Sequence, residues 1–106
     1  MSAFETKSIT LGGQSFEVAP PAFKQLRVII PAIARIAPKI SAPDEATMDD
    51  MLMVIVAGLQ AANPEVKRAD VEVMRMSLQE MAHAIAVIVE VAGLEAGQGE
   101  APAGAA

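Results

Sequence analysis

Ser8-Ile9-Thr10-Leu11-Gly12-Gly13-Gln14-Ser15-Phe16-Glu17-Val18 is the stretch on which the fold turns. Ile9 and Leu11 alternate with polar neighbours before the two glycines, and Phe16 and Val18 alternate after them. Period-two alternation on both sides of Gly-Gly is the signature of a tight β-hairpin, because glycine reaches the positive φ angles of a primed turn without strain. The register then places Ile9, Leu11, Phe16 and Val18 on one face of the ribbon. A lone two-stranded ribbon is marginal in water, so a helical layer is expected over that face.

The rest of the chain reads as helix. Pro20 and Pro21 stop the second strand and suit the first turn of a helix, whose leading N–H groups have no intrahelical partner. Phe23, Leu26, Ile30, Ile33 and Ala37 recur at spacings of three and four and define the expected buried stripe of a first helix, with Lys24, Arg27 and Arg35 away from it. Pro31 deletes one backbone hydrogen bond within that run and predicts a kink near residues 28 to 31, and Pro38 ends the run. A second helix is expected to be capped by Asp44 or Thr47 and to run to about Ala62. Its main stripe is Met48, Met51, Leu52, Ile55, Leu59 and Ala62, yet Met53, Val54, Val56 and Ala57 make most of the remaining circumference apolar. Such a helix is either sandwiched within the domain or shared with a partner.

Asn63-Pro64 closes the second helix, and a short helical turn is expected at about Asp70 to Met74. Ser77-Leu78-Gln79-Glu80 fits a capping box that starts the last helix, and Gly93 suits its end. Leu78, Met81, Ala82, Ile85, Ile88, Val89 and Ala92 form the expected buried face of that helix. Residues 95 to 106 hold five Ala, three Gly and one Pro without a large apolar side chain, a composition that predicts a flexible tail. The expected fold is therefore mainly α: a short N-terminal β-hairpin and a small bundle of three to four helices, one domain over residues 1–94, and a disordered tail over 95–106.

Composition narrows the function. With 106 residues and no cysteine, the chain has one domain's worth of length and neither a disulfide frame nor a thiolate nucleophile. The net charge of -5 and the absence of Trp and Tyr disfavour phosphate backbones and base stacking, so no nucleic-acid partner is expected. Residues 78 to 92, the nearest thing to a recognition helix, contain no Lys or Arg. The longest charge-free apolar run, Met51 to Ala62, is 12 residues, against roughly 20 for a membrane span. The first seven residues lack the basic and apolar regions of a secretory signal, so neither export nor a membrane association is expected.

His83 is the single histidine, and with Glu80 one turn away it lacks the further ligands of a zinc site. The acidic group Asp44, Glu45, Asp49 and Asp50 lacks the spacing of a calcium loop and is accounted for by capping and the helix dipole. Gly12-Gly13 sits in a hairpin rather than between strand and helix, which excludes a phosphate loop. No cofactor, metal or catalytic residue is expected. Residues 20 to 40 carry four positive charges and no negative ones, whereas residues 44 to 50 carry four negative charges and no positive ones. That asymmetry either guides a partner or marks two antiparallel helices whose charges face one another. Most of the seven methionines suit core filling, although flexible thioethers also suit adaptable binding surfaces.

The run Ile9-x-Leu11-Gly12-Gly13-x-x-Phe16-x-Val18-x-Pro20-Pro21-x-Phe23-x-Gln25-Leu26-Arg27 resembles the opening of tail assembly chaperones of long-tailed bacteriophages and prophages. The final Gly93-Leu94 is similar to the end of the family's last helix, so the resemblance covers about residues 5 to 94. Pro31 and Pro21 depart from the family pattern. The resemblance implies a non-catalytic protein that keeps the tape measure protein soluble, helps recruit tail tube protein, works in the host bacterial cytoplasm and is absent from the finished virion. It also implies that a frameshifted, longer form is often made, and it leaves a homo-oligomer open. Leu26, Val28, Ile29, Met53 and Val56 are the expected partner contacts, as apolar residues on faces that one stripe does not consume. The competing class is a small acidic helical interaction module, structural or regulatory, with one fixed partner.

Overall fold

Alternation and glycine together close the hairpin. In the computed structural model, whose described residues are 6 to 94, strand β1 (Lys7–Leu11) pairs antiparallel with β2 (Gln14–Val18), Ile9 opposite Phe16 and Leu11 opposite Gln14. Gly12 and Gly13 sit at φ 58° and 84°, the left-handed values that a two-residue primed turn needs. Ile9, Leu11 and Val18 are buried and Phe16 is half-buried, so the four residues share one face as their spacing requires.

Among the described residues four helices follow: α1 (Phe23–Ile36), α2 (Glu45–Gln60), α3 (Arg68–Glu72) and α4 (Leu78–Ala92), with a 3₁₀ turn (Ala37–Lys39) after α1. The domain is thus mainly helical with an N-terminal hairpin. Helix α1 lies along α2, while α4 covers the hairpin and also packs on α2, which makes α2 the central element. Its apolar circumference is therefore mostly sandwiched inside the protein: Met51, Val54, Ile55, Ala57 and Leu59 are all buried. Met48, placed in the buried stripe by spacing, is exposed at the near end of that helix. The expectation for the tail, residues 95–106, lies outside the described residues.

Side chains at the helix ends explain where the helices start. Asp44 caps α2 by accepting from the Thr47 N–H at 2.8 Å and from its hydroxyl at 2.7 Å. Ser77 accepts from the Glu80 N–H at 3.0 Å while Glu80 accepts from the Ser77 N–H at 3.4 Å, the reciprocal pair that its spacing predicts. Gln25 Oε1 accepts from the Ala22 N–H at 2.8 Å, which gives this buried amide a partner at the start of α1. Asn63 donates to the carbonyls of Leu59 and Glu17, both at 2.9 Å, and so fastens the end of α2 to β2.

The register of α1 differs from the expected stripe. Gln25, Ile29, Ala32 and Ile36 are buried, whereas Phe23 and Ile30 face out. Phe23 and Ile30 outweigh Gln25 and Ala32 in hydropathy, yet close helix packing favours the small side chain, and Ala32 lies fully buried within the core. This register also leaves Arg35 on the flank from which it reaches Asp50 of α2. Helix α1 continues through Pro31 to Ile36 before the 3₁₀ turn at Pro38.

Helices α2 and α4 approach closely at Gly58. A methyl group built there would lie 2.5 Å from Ile88 Cδ1, 2.6 Å from Cγ1 and 2.8 Å from Cγ2, so glycine is required by space rather than by backbone angle. In α4 the buried residues are Ala84, Ile85, Val87 and Ile88, while Leu78 at its start is exposed.

Candidate interaction surface

Charge pairing between α1 and α2 absorbs part of the basic and acidic asymmetry. Arg35 grips Asp50 with two hydrogen bonds, Nε to Oδ2 at 3.0 Å and Nη2 to Oδ1 at 2.9 Å. Lys39 pairs with Asp44 at 3.3 Å across the connection. The guanidinium hydrogen bonds hold the Asp50 carboxyl below its ordinary range and raise Arg35 in turn. Asp44 is held lower still, at about 2, first by the Thr47 hydroxyl, then by the Thr47 N–H and by Lys39. These contacts are structural: the pairing of Arg35 with Asp50 ties the end of α1 to the body of α2, and Asp44 caps α2 while pairing with Lys39.

Two cations of the basic stretch, Lys24 and Arg27, have no ion-pair partner among the described residues. They flank an apolar strip on the outer side of α1. Phe23 lies two turns before the adjacent Ile30 and Pro31 on that side, with 74% of Phe23 and 49% of Ile30 open to solvent. Together with half-buried Leu26 and Arg27 they line a shallow depression of about 340 Å³.

The expected contact residues separate into three groups. Val28, Met53 and Val56 come together from α1 and α2 in one apolar depression of about 180 Å³, edged by Ala57, Gln60 and Arg68. Leu26 belongs to the outer strip with Phe23 and Ile30. Ile29 is a correction: it is fully buried between α1 and the core, because the packed stripe runs through residues 25, 29, 32 and 36. A side chain with no exposed area has nothing to offer a partner.

Phe23 and Ile30 are the surface residues that periodicity misassigned. Pro31 held the signal that identifies them. Its missing N–H leaves the Arg27 carbonyl one turn earlier without its helical partner, and that carbonyl is best satisfied by water. The face bearing Arg27 and Pro31 therefore belongs outside, and Phe23 and Ile30 lie on it.

His83 is exposed on α4 and has no hydrogen-bond or ion-pair partner among the described residues. Among the described residues no group of three or more His, Asp or Glu side chains is arranged to hold a metal ion. No described helix is long and apolar enough to cross a membrane. What the arrangement offers is apolar area edged with positive charge, suited to holding another polypeptide.

No family model, curated protein or solved structure matches the chain.

Proposed function

We propose that this protein is a non-catalytic tail assembly chaperone that binds the tape measure protein, keeps it soluble and helps recruit tail tube protein. It acts in the host bacterial cytoplasm and leaves before the virion is finished. The observation that carries this reading is the outer strip of α1, where Phe23 and Ile30 stay largely exposed although the protein's own core is complete without them. A long helical client with an apolar stripe needs such a surface for as long as it lacks its final neighbours. A separate depression at Val28, Met53 and Val56 adds apolar area where α1 meets α2. The likeness of residues 9 to 27 to the opening of phage tail assembly chaperones directs the choice of client.

The test is co-expression with a candidate tape measure protein, sought as a long helical reading frame just downstream, followed by soluble yield and size-exclusion chromatography. Client solubility that depends on this protein, with co-elution, supports the reading. Replacing Phe23 and Ile30 together by Ser is expected to remove that rescue while leaving the far-UV circular dichroism spectrum intact. A client that stays insoluble while this protein elutes alone would overturn the assignment and favour the module with one fixed partner.

A further inference from the structure

A second apolar surface lies away from the residues used above. Met48 and Leu52 of α2, Met74 and Met76 of the connection after α3, and Met81 of α4 line a groove of about 380 Å³. Four of its seven apolar lining residues are therefore methionines, the others being Leu52, Ile55 and Val71. Met74 and Met76 are half-buried while Val73 and Arg75 are exposed, and both methionines face the groove. Met48 is 46% exposed at the groove mouth. Unbranched, polarizable side chains of this kind adapt their shape to an inserted apolar residue better than branched ones do.

The rim is acidic. Glu45, Asp49 and Glu72 border the groove. Arg68 bridges Asp49 at 3.4 Å and Glu72 at 3.3 Å, so one cation serves two carboxylates, and Glu45 has no ion-pair or hydrogen-bond partner among the described residues. The rim thus keeps a net negative charge on a chain whose total is already -5.

We propose that this groove docks a basic amphipathic helix of a partner protein, its apolar face on the methionines and its Lys or Arg side chains along the acidic rim. Adaptable thioethers supply contact area with little demand for shape, and the carboxylates select sign and orientation. The walls consist of helices and a short connection, so the fit is helix into groove. This goes beyond the chaperone reading, because it rests on different residues and names the charge of the occupant.

The experiment uses the full chain and a fluorescent 18-residue helical peptide with Leu on one face and Lys on the other, read by anisotropy, beside a counterpart with Glu in place of Lys. The basic peptide is expected to bind and the acidic one not, with affinity falling as salt rises. Met48→Lys is expected to weaken binding at least tenfold. Glu45→Lys is expected to weaken it several-fold more than Glu65→Lys, which changes net charge equally at an exposed site away from the groove. Equal binding of both peptides, or equal effects of the two glutamate substitutions, would overturn the proposal. Sedimentation that shows self-association of the wild type, lost in Met48→Lys, would also overturn it by making a second copy the occupant. Client rescue is read in a separate assay, so either reading can fail while the other stands.

Discussion

Replacing Gly58 by Ala sets two effects of opposite sign against each other. Alanine is the better helix former by about 1 kcal/mol in a helix interior. The added methyl, however, would meet Ile88 at 2.5, 2.6 and 2.8 Å, and Ile88 is itself buried in α4. A β-branched side chain in a helix has essentially one χ1 rotamer, so Ile88 cannot swing aside and the two helices must separate. Overpacking of this kind costs about 1–3 kcal/mol, and three sub-3 Å contacts argue for the upper part of that range. The net expectation is a loss of about 1–2 kcal/mol, or roughly 5–15 °C in Tm for a domain of this size. With no Trp or Tyr in the chain, urea and thermal unfolding are followed by far-UV circular dichroism. Ile88→Val removes the nearest carbon, so the penalty of G58A is expected to shrink in that background. A G58A variant at least as stable as the wild type would refute the packing argument.

Ile29→Ala empties a fully buried position and is expected to cost about 2–5 kcal/mol, measured by urea titration. Phe23→Ser, on the outer side of the same helix, is expected to change stability by less than about 0.5 kcal/mol, a contrast that tests the register of α1 directly. Asp44, held at about 2 in the folded protein, stabilises the fold above the unfolded carboxyl range and loses that contribution as pH falls from about 4 toward 2. Asp44→Asn keeps the cap and removes the titration, so its urea midpoint is expected to fall less than that of the wild type over the same interval. Ser77→Ala is expected to lower stability by about 1 kcal/mol through loss of the cap on α4, again by urea titration.

The hairpin, the caps and the order of the helices were legible because each depends on residues adjacent in sequence. Gly12-Gly13, Asp44 with Thr47, and Ser77 with Glu80 act over two to four positions, and the structure places them where local chemistry puts them. The rotation of α1 was harder to read, because both of its sides are apolar and the choice between them belongs to α2. Periodicity ranked Phe23 and Ile30 above Gln25 and Ala32, whereas packing buried the latter pair. The same error placed Ile29 among the contacts and hid the strip that Leu26 borders. For α2, whose apolar circumference leaves sandwiching and sharing equally open, the flanking helices decide in favour of sandwiching. Only Pro31, through the carbonyl it leaves unpaired, signalled which side of α1 meets water.

The contact between Lys7 and Glu90, 2.6 Å across the start of β1 and the final turns of α4, joins the first strand to the last helix. The start of β1 and the final turns of α4 therefore lie on the same side of the fold. The loop at residues 41 to 43, between the 3₁₀ turn and α2, is then a natural place to reopen the chain. A circular permutant with new ends in that loop would keep every described strand and helix contiguous.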